Sequence, residues 1–414
     1  MWKIAYNLAL SIILPFFIVF SLTKRKIRKN LAERLFSSTK HASVRDAIWI
    51  HAASIGEAVI AETLVDYLRK YYHQDNFLLT TNTYYTQDLL KKKFGDSIKI
   101  YPLPFDLAYS IRHFIDGSTF KALIIIETEL WPNLIWEVKK KGTPIIIING
   151  RISDTTFKSY MRFTFFFKTV FPLVDLVLSQ SDEHAKRFIS IGMNPGKVIN
   201  TGNLKYYRNI LYGADDMKLK DNRITFGSIK EKEINILLPV IARLKKTFPD
   251  FMIFVAPREL ALVDIIEKEL SMFLNAMRYS KFKNADSKLT DAVVVDTVGD
   301  LLDIYRKSKV AFVGGSLAPY GGQNILEPLF FGTPVIFGPY IDNFKDIANM
   351  IIEQGAGATI SNGDALYERI KTILEDEVLR NKMGHKGRKI IEMQREVVEK
   401  TVNRMLDTIG INHI

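Results

Sequence analysis

Several short stretches of this 414-residue chain set charged side chains where α/β proteins do chemistry. In IWIHAASIGE (48–57) the apolar run Ile48–Ala53 predicts a buried strand, followed by a turn and the stretch AVIAETLVDYLRKYY. There Ala61, Leu64, Val65 and Leu68 recur at helical spacing. Glu57 thus opens a helix, whose positive dipole end favours the ionised carboxylate that a general base needs toward a hydroxyl nucleophile. The spacing Ser54-x-x-Glu57 equally fits a capping box, in which Glu57 only satisfies backbone N–H groups; the stretch alone does not choose. In ALIIIETELWPN (122–133) a buried strand ends in Glu127 and Glu129, which share a face if the strand continues. Pro132 suits the first turn of the next helix, which Glu129 would otherwise merely cap. TGNLK (201–205) closes a strand with a glycine turn and Lys205, a cation suited to a phosphate or carboxylate, and Pro257–Arg258 repeats that arrangement after MIFVA. In VAFVGGSLAPYGGQNILEP, Gly314–Gly315 closes a strand, Gly321–Gly322 lets backbone approach a ligand, and Asn324 is expected to open a helix carrying Glu327. Glycine-turn amides and a helix N-terminus bind phosphate, and a carboxylate one turn in holds ribose hydroxyls. This is neither G-x-G-x-x-G nor a Walker A loop, so spacing alone says nucleotide site and no more.

The elements that must position these residues alternate. Phe77–Thr81, Ile98–Tyr101, Ala122–Ile126, Ile145–Asn149, Leu176–Ser179 and Val198–Thr201 are short β-branched runs with helical stretches between them, the signature of a doubly wound parallel sheet. Residues 207–222, polar and aperiodic, are expected to link to a second series, Ile224–Phe226, Met252–Val255, Val293–Val295, Val310–Val313 and Val335–Phe337. Two Rossmann-like halves, 24–206 and 223–390, would face each other across a cleft at the carboxyl ends of their strands. A charge-rich helical end, 391–414, could pack back on the first half. Tyr160–Phe171 carries six aromatics with Arg162 and Lys168, and reads either as core or as a surface for membrane or acyl chains.

Composition is that of a globular enzyme, with 47% hydrophobic and 25% charged residues. No cysteine is present, which excludes disulfides and thiolate metal sites; the seven histidines show no ligand spacing, and no metal is expected. His51, near a strand end, reads as a hydrogen-bonded structural histidine. Of the net charge of +12, +7 lies between Lys24 and Arg45, eight cations against Glu33. Before it, Ile4–Thr23 contains no charge and is long enough to span a bilayer, although Asn7, Ser11 and Pro15 also suit an in-plane interfacial helix. Cations after the apolar run, rather than before it, predict an anchor (1–23) with the rest of the chain in the cytoplasm, and a patch able to hold anionic headgroups.

Taken in order, HAASIGE, ETELWPN, NGRIS (149–153), TGNLK, Pro257–Arg258, GGS and GGQNILEP resemble the bacterial Kdo transferases, membrane-anchored glycosyltransferases of the GT-B class. That resemblance implies an inverting transfer of the acid sugar Kdo (3-deoxy-D-manno-octulosonic acid) from CMP-Kdo to a lipid A precursor, lipid IVA, at the cytoplasmic face of the inner membrane. It implies Glu57 as general base, Glu127 and Lys205 as transition-state stabilisers, and Pro257, Arg258, Val298, Gly299, Asp300, Asn324, Ile325, Leu326 and Glu327 at the CMP moiety. It implies no cofactor beyond the donor. Three places depart from the family pattern: Gly227–Lys232 lacks the usual Thr-His-Glu-Gly, Gln323 replaces a histidine, and Thr86-Gln87 stands for Thr-Gly. Another sugar-nucleotide transferase or an epimerase would use the same architecture. A membrane-tethered binder of anionic lipid or nucleic acid would use the basic patch but leaves the acidic motifs unexplained, and no nucleic acid partner is expected.

Overall fold

The computed structural model describes residues 2–23, 34, 43–207, 220–282 and 290–411. The basic stretch 24–40 apart from Arg34, and most of the linker expected at 207–222, lie outside the described residues. Contacts divide the chain into two units, 1–208 with 394–414, and 209–393.

The first unit begins with α1 (Trp2–Thr23) and then alternates β1 (Ala47–His51), α2 (Ile55–Tyr72), β2 (Phe77–Thr81), α3 (Tyr84–Phe94), β3 (Lys99–Pro102), α4 (Ala108–Ile115), β4 (Phe120–Ile126), α5 (Pro132–Lys140), β5 (Ile145–Gly150), α6 (Asp154–Arg162), α7 (Thr164–Phe167), β6 (Leu176–Ser179), α8 (Asp182–Ser190) and β7 (Val198–Asn200). The seven strands are all parallel, in the order β3-β2-β1-β4-β5-β6-β7. Isoleucine runs in β4 and β5 are buried on both faces, as helices on both sides of a parallel sheet require. On one face α2 packs Ala61, Leu64, Val65 and Leu68 with Val398, Val402, Met405 and Leu406 from the chain's last helix.

In the second unit β8 (Arg223–Ile229), α9 (Ile234–Thr247), β9 (Met252–Pro257), α10 (Val263–Ser271), β10 (Ala276–Arg278), α11 (Tyr279–Phe282), β11 (Ala292–Val294), α12 (Leu301–Lys307), β12 (Val310–Val313), β13 (Val335–Phe337), α13 (Lys345–Gln354), β14 (Gly357–Thr359) and α14 (Gly363–Glu375) build a second parallel sheet, ordered β10-β11-β9-β8-β12-β13-β14. Its two edge strands, β10 (AMR) and β14 (GAT), were not anticipated, because neither carries the apolar β-branched run that marked the others. The last helix, α15 (Glu377–Ile409), starts in the second unit and from Gln394 onward belongs to the first.

The expectation of a membrane-spanning anchor requires correction. Among the described residues no helix is long and apolar enough to cross a membrane. One stripe of α1 is bonded to protein instead: the Lys3 ammonium donates to Glu137 at 2.7 Å, the Tyr6 hydroxyl to Asp106 at 2.9 Å, and the Asn7 and Asn133 amides exchange hydrogen bonds at 3.0 Å. Trp2 packs on Phe165 and Tyr6 stacks on Phe166. Positions 3, 6 and 7 are thereby committed to protein, while Ile4, Leu8, Ile12, Ile13 and Phe16 face outward. The aromatic stretch after α5 divides in the same way: Phe171 is in the core, whereas Phe163 and Phe165 are 47% and 52% exposed.

Candidate active site

Glu57 lies in the first turn of α2. Its Oε2 accepts from the Ala53 N–H at 2.7 Å and its Oε1 from the Ser54 hydroxyl at 2.8 Å, while Ser54 Oγ accepts the Glu57 N–H at 3.3 Å. The reciprocal cap is present. The carboxyl is nevertheless not held in the readily ionised form that the helix dipole alone would give. Burial, helped by the charges of Glu129 and Glu127 and opposed by the bonds from Ser54 and Ala53, raises its pKa to about 7. Desolvation outweighs a dipole contribution that seldom exceeds about 1 kcal/mol.

Glu127 follows β4 with a left-handed backbone, φ +59°, and its N–H donates to Ile148 O at 2.9 Å. Asn149, near the end of the neighbouring β5, is likewise at φ +54°. Left-handed backbone at a side-chain-bearing residue costs about 1 kcal/mol or more, and here two adjacent strand ends carry it together. Asn149 Oδ1 accepts the Leu204 N–H at 2.9 Å, and Asn203 Oδ1 the Lys205 N–H at 3.0 Å, so β5 fastens the turn that presents Lys205. Burial raises the Glu127 pKa against the opposing charges of Arg151 and Lys205.

Glu57, Glu127, Glu129, Arg151 and Lys205 are therefore brought into one electrostatic neighbourhood, following the carboxyl ends of β1, β4, β5 and β7. Glu129 does not cap α5. That role falls to Asp106, which was not singled out and whose carboxylate accepts from the N–H groups of Asn133 and Leu134, both at 2.9 Å. Nothing local marks Asp106 in the sequence, since it caps a helix that begins 26 residues later at Pro132. Asn149, which the sequence marked only as a strand end and as part of NGRIS, carried one usable signal: an Asn-Gly pair at a strand end tolerates left-handed backbone. His51 is fully buried with Nδ1 3.0 Å from Thr80 Oγ1, and burial depresses its pKa to about 3, the neutral structural histidine expected.

In the second unit, Pro257 ends β9 and the Arg258 N–H donates to Ile229 O at 2.8 Å, which sets Arg258 beside the end of β8. Val298 is 85% exposed, Gly299 is at φ +98°, and the Thr297 hydroxyl donates to Asp300. The Asn324 amide donates to Glu327 at 3.2 Å and its Oδ1 accepts the Leu326 N–H at 3.2 Å.

Two expectations fail here. Asn324 opens no α-helix: Ile325–Glu327 is a turn running into a short 3-10 segment, Pro328–Phe331, because Pro328 offers no N–H for a helix begun at Asn324 and Gly332 ends the segment in left-handed backbone. Nor are the amides after Gly314 open to phosphate. The N–H groups of Gly315, Ser316 and Leu317 donate to Glu233 at 2.7, 3.0 and 2.8 Å, and the Lys230 N–H adds a fourth bond at 3.0 Å. Glu233 is fully buried and went unremarked in the sequence, although it lies at the end of the 227–232 stretch that departs from the family pattern. Among the described residues no group of three or more His, Asp or Glu is placed to hold a metal ion.

Comparison with known proteins places this geometry. Residues 29–208 match the family described as 3-deoxy-D-manno-octulosonic-acid transferase (kdotransferase), and residues 224–390 match the glycosyl transferases group 1. A 3-deoxy-D-manno-octulosonic acid transferase of Haemophilus influenzae is 31% identical over 427 aligned positions, covering 99% of this chain and 98% of the relative. One from Aquifex aeolicus is 30% identical, over 83% of this chain and 90% of its own length. Among solved structures, MurG of Acinetobacter baumannii aligns with a TM-score of 0.54 at 13% identity, covering 87% of this chain and 99% of that one, a likeness of fold alone.

Proposed function

The chain belongs to the Kdo transferase family and is an α/β glycosyltransferase of two Rossmann-like, GT-B-type units; on that premise we propose that it moves Kdo from CMP-Kdo to a lipid A precursor, lipid IVA, in lipopolysaccharide synthesis. An acceptor hydroxyl attacks the anomeric carbon of Kdo, the new C–O bond forms as the bond to the CMP phosphate breaks, and the electron pair leaves with CMP. The hydroxyl proton passes to Glu57. Glu127 and Lys205 steady the charge that develops, with Lys205 suited to the Kdo carboxylate or the departing phosphate. Pro257–Arg258, Val298–Asp300 and Asn324–Glu327 take the CMP moiety, Arg258 supplying a cation that the Glu233-filled loop does not.

The observation that carries this reading is the state of Glu57. A carboxyl held by two hydrogen bonds, with a pKa of about 7, is matched to accept a proton near neutral pH. The test is CMP release from CMP-Kdo with and without a tetraacylated lipid A precursor, with mass analysis of the lipid. Acceptor-dependent release that falls about a hundredfold in Glu57→Gln supports the assignment. No release by the wild type, or a fully active variant, refutes the reaction or the base respectively.

The acceptor is a lipid, and α1 offers it a surface. Ile4, Leu8, Ile12, Ile13 and Phe16 of α1, joined through the Trp2–Phe165 contact to Met161, Phe163 and Phe165, form an outward apolar face beside Lys158 and Arg162. This face lies in the plane of the inner membrane on its cytoplasmic side, the cations meeting anionic headgroups.

A further inference from the structure

Glu129 is a half-buried carboxylate to which the mechanism above gives no task. Its surroundings are built. The Arg34 guanidinium donates from Nε to Leu103 O at 2.8 Å, from Nη1 to Asn82 O at 3.2 Å and from Nη2 to Asn82 Oδ1 at 3.4 Å, and lies 4.3 Å from the centre of the Phe105 ring. Asn82 Nδ2 then donates to Glu129 Oε2 at 3.3 Å. Arginine offers only donors, so the oxygen of the Asn82 amide must face Arg34 and its NH2 must face Glu129. A donor pointed at one oxygen, with a cation behind it, favours the charged carboxylate.

We propose that Glu129 is a positioning residue for the general base: the relay Arg34–Asn82–Glu129 fixes a negative charge beside Glu57, so that Glu57 meets the acceptor hydroxyl as a strong base rather than an ordinary carboxylate. The proposal rests on the Kdo-transfer reading and deepens it. The neighbouring charges divide the work. Glu127 faces Arg151 and Lys205, which offset it, and its effect on Glu57 is smaller than that of Glu129. Glu129 faces Trp131 and Asn82, which favour its charged form, with Glu127 opposing and Arg34 supporting it, and its charge also reaches Tyr160 on α6. Arg34 otherwise acts on His51, which stays neutral. Ser54 and Ala53 donate to Glu57 and pull the other way. Burial raises the Glu129 pKa as well; Trp131, Asn82 and Arg34, in that order, work against that rise, and the last two form the relay.

The experiment is the pH dependence of kcat/KM for CMP release in wild type, Glu129→Gln and Asn82→Ala. Removing the Glu129 charge weakens the base: the acid limb in Glu129→Gln moves to lower pH by about half a unit, and the plateau falls by up to about threefold. Asn82→Ala, at a half-buried position, moves the limb the same way by less. A Glu129→Gln limb that coincides with wild type overturns the relay; if that variant does not fold, an unmoved Asn82→Ala limb overturns it. A second readout needs no turnover. Any gain in thermal stability from Glu57→Gln at pH 8 shrinks by about half in the Glu129→Gln or Asn82→Ala background, and an undiminished gain refutes the coupling. Wild type without acceptor-dependent release refutes the transfer reading alone, whereas turnover with an unmoved limb and an undiminished gain refutes the relay alone.

Discussion

Replacing Glu57 by glutamine should cost activity and raise stability, and the second effect should depend on pH. A carboxyl whose pKa rises on folding is a liability to the folded state above its unfolded pKa, because the native site resists ionisation. The penalty is absent below about pH 4.5, grows as pH rises, and is complete above about pH 7. The distance from 4.5 to about 7 amounts to roughly 3 kcal/mol at 1.36 kcal/mol per pH unit. Glutamine keeps an oxygen for the Ala53 N–H but presents an NH2 to Ser54, which must turn its hydroxyl to accept; one perturbed bond costs about 1 kcal/mol. The net expectation is a gain of about 2 kcal/mol at pH 8, a rise of roughly 4–8 °C in the melting of a unit of this size. At pH 4.5 the variant should be no more stable than wild type. Thermal unfolding of both proteins at the two pH values, followed by circular dichroism, is the assay. Equal destabilisation at both pH values would show that Glu57 ionises as readily as an exposed carboxylate, and would remove the basis for treating it as a base tuned to neutrality.

Three further outcomes follow from the same geometry. Glu233→Ala strands four buried backbone N–H groups and should destabilise the second unit by about 3 kcal/mol or more, seen as a lower urea midpoint; an unchanged midpoint would mean that water replaces the carboxylate without cost. Phe163→Asp with Phe165→Asp should lower partitioning onto anionic vesicles by at least tenfold in a flotation assay while CMP-Kdo binding is retained, and equal partitioning would refute the in-plane surface. Asn149→Ala removes the bond that holds the Leu204 N–H and should reduce kcat by about tenfold through a loosened Lys205, with little change in the affinity for CMP; wild-type kcat would show the turn to be rigid without it.

How much of this was legible in the sequence depended on whether the physics was local. The strands read correctly where burial on both faces left unbroken aliphatic runs, as in Ile145–Ile148, and the start of α2 read correctly because Ser54 and Glu57 cap each other within one turn. Edge strands such as Ala276–Arg278 went unseen because they lack an apolar β-branched run, whereas the equally short edge strand Val198–Asn200 has one. The apolar run at the N-terminus left spanning and in-plane anchoring both open, because hydropathy counts Tyr6 and Asn7 as minor interruptions, while the fold gives each a polar partner about 100 or more residues away. The ionisation of Glu57 was misjudged for a related reason: the helix dipole is a local quantity, but desolvation and the charges of Glu127 and Glu129 arrive only when β4 is laid beside β1. Glu233 belongs to the same class, its three loop partners lying more than 80 residues downstream.

Glu233 also bears on what a ligand encounters in the second unit. Loops built from glycine are usually floppy until an anion arrives to collect their amides, and the ordering is charged against the affinity for that anion. Here the anion is covalently part of the chain. The turn that follows β12 is already gathered around a carboxylate that cannot dissociate, so its shape is the same whether or not a nucleotide is nearby. On the proposed function, a donor sugar nucleotide arriving at Arg258 and Asn324 would meet a wall set in advance, and its binding energy would go to orienting the sugar rather than to folding the loop.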